Sequence, residues 1–275
     1  MMTGRSTRAA IFGSLTVLPV AWTALCGWCS IAVYAAAPAT MPSGGAAAPA
    51  GHDSPATPYL SARPAGEDRV RTGQFYFPRL QFQCRQDIPD KWDVHPIGDQ
   101  RLREEVKKLT NINILTDPVV VNLDRPEEMC KYPFVFMTAE GDFVLPEANV
   151  ATLREYLLRG GFLAADDCVL YGRGDNFYKA FIREMARVFP DNPMRPVPKD
   201  HEIFNCYFKL DGAPHMQGVK HPAMGLFDKE TGRLMVFLTS GDIHCGWVGY
   251  PQFGKTNIQA AFQMGVNIIV YCLTH

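Results

Sequence analysis

The chain has 275 residues, with 27 Lys and Arg against 28 Asp and Glu, and a formal net charge of -1. Hydrophobic residues make up 47% of it, enough for one sizeable core plus appendages. The even balance of charge excludes a general nucleic-acid binder, which carries a basic surplus.

Residues 1–37 differ from the rest. Arg5 and Arg8 lead into the apolar run AAIFGSLTVLPVAWTALCGWCSIAVYAAAPA. A charged start, an apolar stretch and a small-residue exit are the layout of a secretory signal, and Ala35-Ala36-Ala37 offers a cleavage site. The run is also long enough to serve as an uncleaved membrane anchor. Pro19 and the small-residue exit weigh towards cleavage. Either way the expectation is an exported protein, periplasmic or held on the inner membrane facing the periplasm, that touches membrane only through this segment.

Residues 38–71 are dominated by Pro, Ala, Gly and Ser. Such a segment cannot bury enough apolar surface to offset its ordering entropy and is expected to be a disordered linker. Residues 72–275 then form the folded domain. It holds Cys84, Cys130, Cys168, Cys206, Cys245 and Cys272, with no zinc-like spacing among them. Export is compatible with one disulfide, but a full disulfide framework is not expected.

Within the domain, QFYFPRLQFQC alternates apolar and polar residues and reads as a strand. GDQRLREEVKKLTN places Leu102, Val106 and Leu109 on one helical face, with Asp99 as the expected N-cap. PVVVNL and YPFVFMT read as strands, the second fully buried. LPEANVATLREYLLRGG is a clear helix, with Val150, Leu153 and Leu157 on one face and Gly160-Gly161 as its stop. FLAAD is the next strand. GDNFYKAFIREMARVFP is a second clear helix, its apolar face formed by Phe177, Phe181, Met185 and Val188, with Asp175 as expected cap. HEIFNCYFKL reads as an extended segment, RLMVFLTSGD as a buried strand and KTNIQAAFQMGVNIIVYCLTH as a closing helix packed on the sheet.

Strands alternating with amphipathic helices imply an α/β domain with a mostly parallel sheet. Ligands of such sheets bind beyond the carboxyl ends of the strands. Asp166, Asp167 and Asp242 each follow an apolar strand directly, so all three are expected on that rim. The ordered set YPFVFMT, LREYLLRGGFLAADD, RVFP, DHEIF, SGDIHCGW and GVNIIVYCLTH resembles the bacterial family called domain of unknown function 4159, over roughly residues 74–275. The resemblance implies a three-layer sandwich of the flavodoxin or class I glutamine-amidotransferase-like type. It also implies an envelope setting, in company with MoxR-type ATPases and von Willebrand A proteins. It implies no reaction.

Candidate chemistry falls in a few places. Asp166 and Asp167 can ligate a hard divalent cation, share acid and base duty, or hold a ligand's hydroxyls. The alternative is that one caps a turn and the other pairs with a nearby arginine. His201, beside Glu202 in PKDHEIFN, is a candidate ligand or general base, against a ring bonded to local backbone. Asp166, Asp167, His201 and Asp242 are thus the candidate catalytic set, with Asp166, Asp167 and His201 as metal ligands. SGDIHCGW adds His244 and Trp247, which with Glu202 and Arg79 are the ligand-binding candidates, Trp247 being either a platform for a sugar ring or a packing residue. Arg79, together with Trp92, Asp93 and His95, forms a weaker group, Arg79 pairing with a site carboxylate or lying in a structural salt bridge. Cys168 and Cys245 lack the glycine-flanked elbow of a catalytic nucleophile. A polar-ligand site is therefore the leading expectation, for a small polar molecule or a glycan. A metal-assisted or acid/base hydrolase is the first alternative and a structural partner in an envelope complex the second.

Overall fold

The computed structural model describes residues 73–84, 92–169 and 174–275. The expected leader and linker lie outside the described residues. Among the described residues no helix is long and apolar enough to cross a membrane.

Seven strands form one sheet, and the helices cover both of its faces. In chain order the elements are β1 (Pro78–Gln81), α1 (Pro96–Leu109), β2 (Val119–Asn122), α2 (Pro126–Met129), β3 (Phe134–Ala139), α3 (Glu147–Leu158), β4 (Phe162–Asp167) and α4 (Asn176–Val188). They continue with β5 (Arg195–Pro196), β6 (Met224–Phe227), β7 (Leu234–Thr239), α5 (Ile243–Val248) and α6 (Lys255–Thr274). The strand order is β2-β1-β3-β4-β7-β6-β5. β2, β1, β3, β4 and β7 run parallel, while β6 and β5 add an antiparallel edge. The five parallel strands thus have the doubly wound 2-1-3-4-5 order, with its switch point between β1 and β3.

The alternation of side chains along each strand divides the core in two. Leu80, Val135, Met137, Leu163, Ala165, Val236 and Leu238 face α3 and α4, meeting Leu153, Leu157, Phe177 and Phe181. Phe77, Phe134, Phe136, Phe162, Ala164 and Phe237 face α1, α5 and α6, meeting Leu102, Val106, Trp247 and Met264. Both faces are covered, which is why the strands read as continuous apolar runs.

Several expected details differ. HEIFNCYFKL is not extended: Glu202–Phe204 form a single 3-10 turn, and His201 caps it by accepting a hydrogen bond from Ile203 N at 3.2 Å. Asp99 is not the cap of α1. His95 occupies that position, with Pro96 next, and Asp99 lies inside the first turn. Asp175 precedes α4 but makes no capping bond; its carboxylate pairs with Lys179 at 2.9 Å and His221 at 2.7 Å. The short helix α5 and the edge strands β5 and β6 have no clear period in the sequence.

Gly161, between α3 and β4, illustrates how tightly the layers meet. A Cβ there would stand 2.4 Å from the ring of Tyr156, which is itself buried and donates its hydroxyl to Phe162 O at 3.3 Å. Gly161→Ala is therefore expected to destabilise the domain by about 1–3 kcal/mol through overpacking, measured as a shift in the urea midpoint at unchanged slope.

Candidate functional site

β3, β4 and β7 break their apolar pattern near their carboxyl ends, where Thr138, Asp166 and Thr239 lie side by side, and β1 breaks it at Arg79, in register with Phe136 just below them. On the face towards α1 and α5, Phe77 gives way to Arg79, Phe136 to Thr138, Ala164 to Asp166 and Phe237 to Thr239. All four polar residues are buried. Burying them costs free energy unless each finds partners, and the rim is organised around those partners.

Arg79 is held by Asp99 of α1. Its Nε donates to Oδ2 at 3.0 Å and its Nη2 to Oδ1 at 3.1 Å, and Nη2 also donates to Val94 O at 3.1 Å. Neither side chain has any exposure. Burial alone would raise the Asp99 pKa, but the Arg79 guanidinium and the His244 contact outweigh it and hold the carboxyl well below its usual range. His244 Nε2 lies 2.9 Å from Asp99 Oδ1 and 3.1 Å from Arg79 Nη2. Facing both a donor and an acceptor, the imidazole satisfies the carboxylate as the Nε2–H tautomer. The Nδ1 lone pair then has no partner among the described residues. Burial, then the charge of Arg79, lowers the His244 pKa to about 4, so the ring is neutral beside an intact ion pair.

Asp166 is buried under α5. It receives His244 N at Oδ2, 2.9 Å away, and its Oδ1 lies 2.5 Å from Thr239 Oγ1. Burial, then the charge of Asp242, raises its pKa well above the usual carboxylate range. A protonated Asp166 fits these contacts, because its hydroxyl can donate to Thr239 Oγ1, whose own hydrogen can turn to Ala165 O at 3.5 Å. Asp242 sits at the turn from β7 into α5 with a left-handed backbone, φ 53°. It caps the helix by accepting from Cys245 N at 3.4 Å, and Gln217 Nε2 donates to it at 2.5 Å. The turn needs a glycine before it: a Cβ on Gly241 would lie 2.2 Å from Pro214 O. Burial raises the Asp242 pKa as well.

The two adjacent acids do not act together. Strand alternation sends Asp166 towards α5 and Asp167 to the opposite face, where Asp167 Oδ2 accepts from Tyr178 N at 3.3 Å. His201 is not brought to them. Its ring packs on Tyr271 at 5.5 Å, and Tyr271 packs on Phe162, the first residue of β4, at 5.9 Å. That is the amino end of the sheet, roughly 13 Å of strand from Asp166. Glu202 is there too, paired with His275 at 2.9 Å. The expected grouping of His201 with Asp166, Asp167 and Asp242 is therefore corrected, and the ligand-binding candidate Glu202 also lies away from them. The ring is bonded to local backbone, accepting from Ile203 N, and its segment crosses the amino end of the sheet. Trp247 is a packing residue: its ring is 1% exposed, its Nε1 donates to Ala261 O at 2.9 Å, and Phe136 lies 5.2 Å away.

What the rim does bring together is sulfur and imidazole. Cys168 follows β4, continuing the ladder with its N donating to Ala139 O at 3.2 Å. Cys245 lies in the first turn of α5, and the two Sγ atoms are 3.8 Å apart. His95, half-buried and left-handed at φ 46°, completes the group. One of its ring nitrogens and both sulfurs lie within 4.8 Å of one another. Tyr250 closes the edge, its hydroxyl 3.5 Å from His95 Nδ1. The half-buried Glu140 carries its charge nearby and helps push the Tyr250 hydroxyl up, after burial, the two thiols and Asp242. The hydrogen bond to Cys245, then burial, raises the Cys168 thiol well above its ordinary value. For Cys245 the contact with Cys168 pulls the other way, but burial and the charge of Asp242 win and lift it to about 11. Cys168, Cys206, Cys245 and Cys272 are free thiols. The sequence marked Cys168, Cys245 and His95 only faintly, because no spacing links positions 95, 168 and 245.

The molecule is thus a doubly wound α/β sandwich with a polar, thiol-bearing rim beside its switch point. The family model described as Domain of unknown function (DUF4159) matches residues 77–273. The chain belongs to this family. It matches no curated protein.

Two expectations follow from the Arg79 network. Arg79→Met leaves Asp99 charged and buried, and is expected to cost about 3–5 kcal/mol, whereas Arg79→Met with Asp99→Leu recovers most of the loss. Urea unfolding of the single and double variants measures both. The second concerns pH. His244 is lowered in the folded state, so the unfolded chain binds the proton first, and stability is lost as pH falls from about 6.5 towards 4. The contribution is about 3 kcal/mol across that window. Asp166 and Asp242 are raised and act in the opposite sense, so the His244 part is the difference in slope between the parent and His244→Gln, with the variant expected to lack this acid-side loss.

Proposed function

We propose that the protein is an exported envelope domain that binds a polar ligand at the carboxyl rim of its sheet, where His95, Glu140 and Tyr250 are half-exposed above the buried acids and thiols. The observation that carries this reading is the concentration of buried ionisable groups at one end of the sheet, while the first four residues of β3 and of β4 and the first five of β7 are apolar. A fold does not hold Arg79, Asp99, Asp166, Asp242 and His244 in its interior for stability alone, since apolar residues of similar volume serve as well or better. Binding is favoured over acid/base hydrolysis because the carboxylates are already engaged. Asp99 is held by Arg79, Asp166 by Thr239 and His244 N, and Asp242 by Gln217 and Cys245 N. They orient the rim, and the half-exposed side chains meet the ligand. Export rests on the charged, apolar and small-residue order of residues 1–37. An envelope partnership with MoxR-type ATPases and von Willebrand A proteins rests on the family resemblance, and a glycan is the ligand class that an envelope setting favours.

The test is a titration of isotope-labelled protein with muropeptides released from a bacterial cell wall. Amide shift changes are expected at His95, Glu140, Gly249 and Tyr250, and Tyr250→Phe should weaken binding by about fivefold, the loss of one net hydrogen bond. Changes confined to the His201 end, or none at saturating probe, overturn the reading. Export is tested separately by fusing residues 1–37 to a phosphatase active only in the periplasm. An active fusion whose mature amino terminus follows Ala37 is expected, and an inactive fusion retained in the cytoplasm overturns export.

A further inference from the structure

We propose that Cys168, Cys245 and His95 form a zinc site with three protein ligands and a fourth position turned towards the rim. Such a site would stand whether or not the rim binds a polar ligand. Zinc takes thiolate sulfur at about 2.3 Å in tetrahedral geometry, which sets two sulfurs on one ion about 3.8 Å apart. Cys168 and Cys245 hold their Sγ atoms 3.8 Å apart. The His95 nitrogen lies within 4.8 Å of both sulfurs. A nitrogen bound to zinc at about 2.0–2.1 Å belongs roughly 3.6 Å from each sulfur, so a side-chain shift on the order of 1 Å closes the site.

The three ligands come from separate elements that the fold fixes independently. Cys168 is set by the end of β4, Cys245 by the first turn of α5, and His95 by the start of α1. The Arg79, Asp99 and His244 contacts tie the starts of α1 and α5 to the sheet. Charges of both signs reach the group: burial, then the Arg79 guanidinium, keeps the His95 ring neutral and able to donate a lone pair, and two carboxylates act on Cys168. Asp242 caps the helix that carries Cys245, and both its charge and that of Glu140 act on Cys168. No Lys or Arg hydrogen-bonds to the three ligands among the described residues. The donor set selects the ion class. Two sulfurs and an imidazole suit a soft or borderline metal such as zinc, whereas calcium and magnesium want oxygen. Binding releases the thiol protons, leaving a site neutral overall. The hard-cation site expected at Asp166, Asp167 and His201 has no such geometry, because those three point to different faces and ends of the sheet. With two Cys and one His the coordination is that of open zinc sites, which keep one position for water or an incoming ligand. Tyr250, whose hydroxyl lies 3.5 Å from His95 Nδ1, is a half-buried neighbour of the group.

The experiment measures metal in the purified protein, prepared without chelator and with thiols kept reduced, after incubation with zinc and dialysis. One zinc per chain is expected. Cys168→Ser with Cys245→Ser should abolish retention. Because two buried substitutions can impair folding, His95→Asn provides a milder variant: His95 is half-buried, and Asn tolerates its left-handed backbone. It is expected to weaken zinc binding by more than about tenfold, since losing even an outer-shell partner costs roughly 10–100-fold. Cobalt in place of zinc should give the thiolate charge-transfer band and the intense visible bands of a tetrahedral site, lost in the serine variant. Three results overturn the proposal: no metal retained by the reduced parent; full retention by a folded serine variant; or cobalt bound without a thiolate band. A parent prepared without reductant that is two hydrogens lighter, and that regains no zinc after reduction, identifies the two sulfurs as a disulfide pair instead.

Discussion

A fully buried guanidinium is the constraint on which the rim depends. Arg79 lies in β1 between the buried Phe77 and Leu80, where an uncompensated charge would cost several kcal/mol. Its bidentate pair with Asp99 therefore fixes where α1 begins, because Asp99 must stand in the first turn, facing β1. His244 then adds α5, its ring against Asp99 and its backbone N–H on Asp166 of β4. One ion pair thus joins a strand, two helices and the neighbouring strand end. A buried ion pair is weak as a source of stability, but its geometric demands are strict, and here they set the register of α1 and α5 on the sheet.

That arrangement explains a contrast between the two kinds of chemistry at the rim. The carboxylates are numerous but occupied by donors from the protein, so they serve as anchors. The thiols of Cys168 and Cys245 contact each other, with a ring nitrogen of His95 within 4.8 Å. Asp166 shows how far the anchoring goes. It sits so deep, and so near Asp242, that its neutral form is favoured, and a neutral acid bridging Thr239 and His244 N is a structural strut. The left-handed residues mark the same region. His95 and Asp242 are the two non-glycine positions with positive φ among the described residues. One starts α1 and the other starts α5, the two helices that close over the rim.

Much of the fold was legible because apolar period translates directly into elements. YPFVFMT, FLAAD and RLMVFLTSGD lie where a parallel sheet covered on both sides needs continuous apolar strands, and α3 and α4 follow the faces marked by Leu153 and Phe181. The acids at the strand ends were also legible as rim residues, since a strand that enters helices on both faces can end in polar residues only at its edge. HEIFNCYFKL was misread because Ile203, Phe204 and Phe208 are buried at a turn, and burial without regular backbone leaves the same letters as a strand.

The sequence by itself determined the class of the fold, the strand and helix succession, and the end of the sheet where Asp166, Asp167 and Asp242 gather. These depend on local periodicity and on chain direction, both written in consecutive residues. Only the tertiary structure decided that adjacent Asp166 and Asp167 part to opposite faces, that His201 belongs to the far end, and that Cys168 meets Cys245 across 77 positions of chain. Those outcomes depend on which strands become neighbours and on the turn that aims α5, and no short-range pattern encodes a contact made only when distant elements pack.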